Sequence, residues 1–296
     1  MKKTLVLLTL IFVANLLAEV ISVQVPEQQP DTLIAYSTFN YDQINESSAL
    51  EKSKIRDDVY WTLNDSGDHA RIFPFNANGE VYYPLWDSLN AGISIPNAVN
   101  IDWESMTTDN DGNLVIGACG NNMNMRRDLA LYIFKEPYPT QTSKTRALKT
   151  IPFYYPDHTN FPPEKRNFDC EAIFSAFGKY YFLTKHRSDY HTTLYRMDQM
   201  NLDKENALTK LAEFDIQGMV TGADASDDGK MLAILTYGNV WLFISDDDDY
   251  FNGKIYYKAI RAKQCEAICI DGDNLMITNE QKELFRLPIN ELTRIK

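Results

Sequence analysis

IDWESMTTDNDGNLVIGACGNNMNMR, running from Ile101 to Arg126, is the stretch whose plan decides the fold. An acidic residue opens a short apolar run, a Gly/Asn/Asp turn follows, and a second run from Leu114 to Ile116 ends in polar residues. That pattern predicts a β-hairpin with a polar tip.

The plan recurs. An acid followed by a small residue stands at Glu46-Ser47, Glu104-Ser105, Glu171-Ala172, Asp224-Ala225 and Glu266-Ala267, at intervals of 58, 67, 53 and 42 residues. Such periods belong to propellers and solenoids rather than to one irregular domain. After each acid come two further apolar runs, exemplified by Leu114-Val115-Ile116 and Leu131-Tyr132-Ile133-Phe134 in the second unit, and by Met231 to Leu235 and Val240 to Phe243 in the fourth. A fourth run follows in four units: Val81 to Tyr83, Leu148 to Phe153, Leu211 to Phe214 and Ile255 to Lys258. The fifth unit lacks one, and Leu33 to Tyr36 is the expected substitute, closing a ring by pairing with the last unit. Closure removes the open sheet edges. The expectation is an all-β chain, a β-propeller of five four-stranded blades, with six as the alternative if the 67-residue interval holds a degenerate unit.

The turns support this independently. Asn78-Gly79, Asp111-Gly112, Gly178, Asp228-Gly229 and Asp271-Gly272 all fall between apolar runs, where Asn-Gly and Asp-Gly supply the positive φ of tight hairpins. Asp109 to Asn113 and Asp246 to Asp249 read as solvated connections rather than metal loops, the first lacking the late glutamate of a calcium loop.

Met1 to Ala18 carries two lysines and then an apolar core from Leu5 to Leu17, shorter than the roughly 20 residues that span a bilayer. It reads as a secretory signal. An uncleaved anchor is the alternative, because Leu16 is imperfect at the third position before a cut after Ala18. Residues 19–31 read as a linker, and 32–296 as one propeller domain without a transmembrane segment. The expected location is periplasmic or extracellular, and the expected state monomeric. A formal net charge of −12 argues against nucleic acid, whose phosphates are met by clustered Lys and Arg. Of the four cysteines, Cys265 and Cys269 lie too far apart along one strand to bridge, and Cys170 and Cys265 occupy equivalent places in non-neighbouring blades. All four, with Cys119, are expected to be buried thiols.

Several motifs resemble those of a family of exported bacterial β-propeller proteins of largely uncharacterised function. They are Asn64-Asp65-Ser66-Gly67 after Trp61-Thr62-Leu63, then Asp102-Trp103-Glu104, then Gly117 to Asn122 with Arg126 and Asp128-Leu129. Asp169-Cys170-Glu171-Ala172, Thr221 to Asp224, Thr236-Tyr237 and Asn279-Glu280 continue the resemblance over nearly all of the chain beyond the leader. Ala118 stands where those relatives usually carry the loop's first aspartate. The resemblance implies the fold and a shared pocket, and no activity.

In a propeller the first strand of each blade lines the channel, so the five acids should converge on one axis. Like charges confined together raise one another's pKa unless a cation or basic group neutralises them. Glu46, Glu104, Glu171, Asp224 and Glu266 therefore form a hard-cation site, for which oxygen ligands favour Ca²⁺, or latches that cap the amides of the next blade, or direct ligand contacts. Arg126, Lys185 and Arg71 are the basic groups available. The residues after each second strand, Asn64, Asp65, Asn121, Asn122, Lys185, Tyr237 and Glu280, should ring the channel mouth and form the default pocket. The leading reading is a binder of a polar small molecule or glycan, with Ca²⁺ as an optional structural ion. Its rivals are a calcium-dependent ester, lactone or phosphoester hydrolase, and a scaffold that holds a surface protein on the aromatic edges at Tyr82-Tyr83, Tyr154-Tyr155 and Tyr256-Tyr257. No G-x-S-x-G elbow is present, and of the four histidines only His186 stands near the polar ring, as a proton-transfer candidate. The other three are expected on the surface.

Overall fold

The apolar runs are nearly continuous rather than alternating because both faces of every sheet are covered. In the computed structural model, which describes residues 19–65, 67–87 and 92–296, five sheets stand around one axis. Blade 1 comprises Ser47–Lys52, Tyr60–Asn64, Arg71–Phe75 and Ile93–Ser94. Blade 2 comprises Ser105–Thr108, Asn113–Ala118, Ala130–Lys135 and Lys149–Tyr154, with Asn206–Ala207 added in parallel at its edge. Blade 3 comprises Asp169–Ala176, Lys179–Lys185, Thr192–Met197 and Thr209–Phe214. Blade 4 comprises Val220–Ala225, Met231–Thr236, Asn239–Ile244 and Lys254–Arg261. Blade 5 comprises Cys265–Asp271, Asn274–Asn279, Glu283–Pro288 and the N-terminal strand Ser37–Thr38. Each first strand touches the first strands of the blades on either side, the last meeting the first, so the ring is closed.

Alternate residues of one strand serve alternate interfaces, as a period of two requires. Ala49, Trp61 and Leu63 join Trp103, Leu114 and Ile116 between blades 1 and 2. Val115 and Leu131 join Ile173 and Phe182 between blades 2 and 3. Phe174 and Tyr181 meet Ile234 and Trp241 between blades 3 and 4, Ala233 and Leu235 meet Ile268 and Ile277 between 4 and 5, and Leu50 and Phe73 meet Cys269 and Met276 between 5 and 1. At about 1.5–3 kcal/mol for each fully buried large side chain, these five cores are what holds the ring. Gly112 and Gly229 have φ of +70° and +75° in the hairpins that the sequence places there.

Three expectations need correction. The closing strand is Ser37–Thr38, antiparallel to Glu283–Pro288, not Leu33 to Tyr36. Leu33 and Ala35 instead pack on the blade 4/5 core, while Asp31–Thr32 pairs in parallel with Lys254–Arg261. The fourth strand of blade 1 is Ile93–Ser94; Val81 makes only an isolated bridge to Phe75. Residues 19–31 are no free tether, since the Ile21 amide donates to Glu213 O at 2.9 Å and Ile21, Val23 and Val25 pack on the blade 3/4 core.

The proposed leader, Met1 to Ala18, and Ser66 lie outside the described residues. Among those described, no helix is long and apolar enough to cross a membrane. All four cysteines are free and buried.

Candidate functional site

Four of the five first strands open with a β-bulge, between Ser47/Ala49, Cys170/Ala172, Val220/Gly222 and Cys265/Ala267. A bulge leaves one residue out of the ladder and re-aims its side chain. Those residues are Ser48, Glu171, Thr221 and Glu266; Glu104, just before Ser105 opposite Gly117, holds the same place in blade 2. The axial position is therefore three glutamates and two hydroxyls. Glu46, Glu104, Glu171 and Glu266 do meet, lining a cavity of about 220 Å³ at one channel mouth.

Asp224 does not join them. It lies three residues beyond Thr221, as Glu51 lies beyond Ser48, and a strand rises about 3.3 Å per residue. Asp224 and Glu51 thus line a second cavity at the opposite mouth. There Asp224 Oδ2 accepts the Ile270 amide of blade 5 at 2.8 Å, and Glu51 Oε1 accepts the Thr108 amide of blade 2 at 3.0 Å. The latch reading is what these two carboxylates fulfil.

The residues after the second strands divide by their partners. Asp65, Asn122, Lys185, Tyr237 and Glu280, one from each blade, face the first cavity, with Arg187 and Gln264. Asn64, Asn121 and Arg126 do not line it: all three bind backbone, and Asn64 and Arg126 also bind the Asp68 and Asp128 carboxylates. Asn64 donates to Gln43 O at 2.7 Å and accepts the Asn45 amide; Asn121 Oδ1 accepts the Met125 and Arg126 amides; Arg126 donates to Gly120 O and Ala118 O. Arg71 is bound to Asp68 and Gln43. His186 also points away, held by Asp189 and Thr193, and His158 is buried against Phe168 rather than exposed.

Asp102, of the Asp102-Trp103-Glu104 motif, belongs to this site as well. Trp103 is fully buried in the blade 1/2 core, with its indole N–H donated to Val99 O at 3.0 Å. Alternation then turns Asp102 and Glu104 to the same side. One oxygen each from Asp65, Asp102 and Glu104 lies within 4.8 Å of the others. Gly120 makes room for them: a Cβ there would sit 2.6 Å from Asp102 Oδ2 and 2.7 Å from Glu104 Cγ.

Charge in the cavity is lopsided. Six carboxylates, Glu46, Asp65, Glu104, Glu171, Glu266 and Glu280, face two cations. Both cations are engaged, Lys185 with Glu171 at 3.1 Å and Arg187 with the fully buried Asp169 at 2.7 Å. Burial, then the neighbouring charges of Glu171, Asp65 and Asp102, holds the Glu104 carboxyl well above the usual range. Burial and Asp65 raise Asp102 to about 6, and burial raises Glu266 to about 6. Burial opposes the Lys185 ammonium, but Glu171, Tyr237 and Glu266 around it leave its pKa raised. Tyr237 is pushed up to about 12, chiefly by burial, and is neutral at pH 7. The site can therefore take up a hard cation in exchange for protons.

No family profile and no curated sequence matches the chain. Solved structures that resemble it include a putative 6-phosphogluconolactonase from Bacteroides uniformis, 15% identical, with a TM-score of 0.40, covering 84% of this chain and 71% of that one. Another is the β-propeller domain of Cps50 (Swd1) from Myceliophteria thermophila, 9% identical, TM-score 0.41, covering 88% of this chain and 73% of that one.

Proposed function

We propose that the protein is an exported binding module whose axial pocket takes a polar, hydroxyl-rich ligand such as a glycan, beside a Ca²⁺ ion held by Asp65, Asp102 and Glu104. The excess of carboxylates over cations in one confined cavity carries the reading. Crowded carboxylates stay protonated or acquire a counter-ion, and an all-oxygen set favours Ca²⁺ over a transition metal. Asn122, Tyr237 and Gln264 on the rim offer neutral donors and acceptors to hydroxyl groups. Export rests on the Met1 to Ala18 pattern, and outside the cell a weak calcium site of about 10⁻⁴–10⁻³ M suffices.

Thermal unfolding in chelator and in Ca²⁺, combined with glycan binding and a panel of lactone and phosphoester substrates, tests this. Calcium is expected to raise the unfolding temperature of the wild type and not of Asp102→Asn, with glycan binding lost in Tyr237→Ala and no substrate turned over. Turnover abolished by Glu104→Gln in a folded protein would replace binding with hydrolysis. Partners that bind Asn122→Ala and Lys185→Ala as well as the wild type would move recognition to the outer edges, where Tyr83 and Tyr154 are exposed but Tyr155 and Tyr257 are buried.

A further inference from the structure

Beyond the axial pocket, blade 3 brings together His186, Asp189, His191 and Glu213. One ligand atom from each lies within 4.8 Å of all the others. Three come from the turn after Lys179–Lys185, and the fourth from Thr209–Phe214, where Glu213 pairs with Thr193. His186 Nδ1 is 2.8 Å from Asp189 Oδ1, and His191 Nδ1 is 3.2 Å from Glu213 Oε1 and 3.8 Å from Asp189 Oδ1.

The outer atoms of Asp189, Glu213 and His186 are taken, which leaves their inner ones facing His191 Nδ1 and each other. Asp189 Oδ2 accepts from Asn167 Nδ2 at 3.0 Å and from Lys165 at 3.4 Å, and Glu213 Oε2 accepts from Lys210 at 3.2 Å. His186 Nε2 lies 3.1 Å from Thr193 Oγ1. If Nε2 carries the proton and donates it to that hydroxyl, Nδ1 is the lone-pair nitrogen aimed at the cluster. Tyr190, in the middle of the turn, has φ of +61°, and its carbonyl accepts the Gly218 amide, so the backbone between two of the groups is fixed in an uncommon conformation.

We propose that this cluster is a transition-metal site, best suited to Zn²⁺, with His186 Nδ1, His191 Nδ1, Asp189 Oδ1 and Glu213 Oε1 as its four ligands. Two imidazoles and two single carboxylate oxygens form a tetrahedral donor set for a borderline-soft ion, distinct from the oxygen-only axial site. Thr193, Asn167, Lys165 and Lys210 are the outer partners that orient the ligands, as such sites require. Four protein ligands leave no open position, so the ion is structural. It ties the 186–191 turn to the adjacent outer strand, and with it the base of Arg187.

The test loads the chelator-stripped full chain with Zn²⁺, and separately with Co²⁺, removes excess ion, and measures bound metal and the visible absorption of cobalt. Wild type is expected to retain one equivalent and to give the intense bands of tetrahedral Co²⁺. His191→Ala and Glu213→Gln, both at partly exposed positions, are expected to lose the bands and to weaken Zn²⁺ binding by at least about 100-fold, the upper end of what losing an outer partner alone costs. Asp102→Asn, an axial change, should keep metal and bands, so that failure of this proposal is separable from failure of the calcium reading. Retention of metal by folded His191→Ala and Glu213→Gln, octahedral cobalt spectra, or no bound equivalent in the wild type would overturn it.

Discussion

Glu266→Gln should make the protein more stable, and only at neutral and higher pH. Glu266 sits on the blade 5 bulge; burial is the main reason its carboxyl is raised, opposed by Lys185 and by hydrogen bonds from Gln264 and Tyr237. A folded-state value of about 6 against the ordinary 4.5 means that the folded chain holds this proton more tightly than the unfolded chain. The resulting contribution is complete below pH 4.5 and is lost as the pH climbs through 6. At about 1.4 kcal/mol per tenfold difference in proton affinity, the loss is about 2 kcal/mol. Glutamine keeps the shape and never ionises, so the variant escapes it. Urea unfolding in chelator, followed by tryptophan fluorescence at pH 4 and pH 7.5, should give equal stabilities at the lower pH. At the higher pH the variant should lead by about 2 kcal/mol, or about 4–8 °C in unfolding temperature. A variant that is less stable at pH 7.5, or a difference that does not change with pH, would refute the electrostatic account of this cavity.

Other perturbations address separate parts. Gly120→Ala should leave unfolding cooperative but weaken calcium binding by about tenfold, since relieving an overpacked contact costs about 1–3 kcal/mol and the displaced atoms belong to Asp102 and Glu104; unchanged calcium titration would count against those ligands. Arg187→Met should cost about 3–5 kcal/mol in urea unfolding, because it strands the fully buried Asp169 carboxylate; a loss within error would mean that the pair is not formed. Asp224→Ala removes the acceptor of the Ile270 amide and should cost about 1–3 kcal/mol at pH 5. The cost should shrink at pH 8, because burial raises the Asp224 carboxyl to about 6 and its charge is itself unfavourable there.

The fold was legible because each inter-blade core demands apolar residues on both faces of the strands, and the turns between them demand Gly. What was misplaced had no such demand. Ser37–Thr38 closes the ring through backbone pairing alone, so two polar residues suffice, while the apolar run beside it, Leu33 to Tyr36, lends Leu33 and Ala35 to packing instead. Ile93–Ser94 is two residues long and follows an excursion that begins after Phe75. In the site, Glu104, Glu171 and Glu266 were readable as acids before small residues. Blade 4 broke the rule because its axial residue, Thr221, is uncharged, and the next acid, Asp224, lies three residues down the channel. Asn64 and Asp65 look alike in a sequence; only the amides that Asn64 caps decide that Asp65 is the one facing inward. Arg187 follows Lys185 and His186 at the tip of a second strand and is legible there as part of the polar ring, but its pairing is not, because Asp169 lies 18 residues earlier on a neighbouring strand of the same blade.

The most direct measurement is diffraction from a calcium-loaded crystal. The account predicts an ion in the axial pocket with oxygens of Asp65, Asp102 and Glu104 at about 2.3–2.6 Å. A pocket holding only water among its carboxylates at saturating calcium, with the ion elsewhere or nowhere, would contradict it.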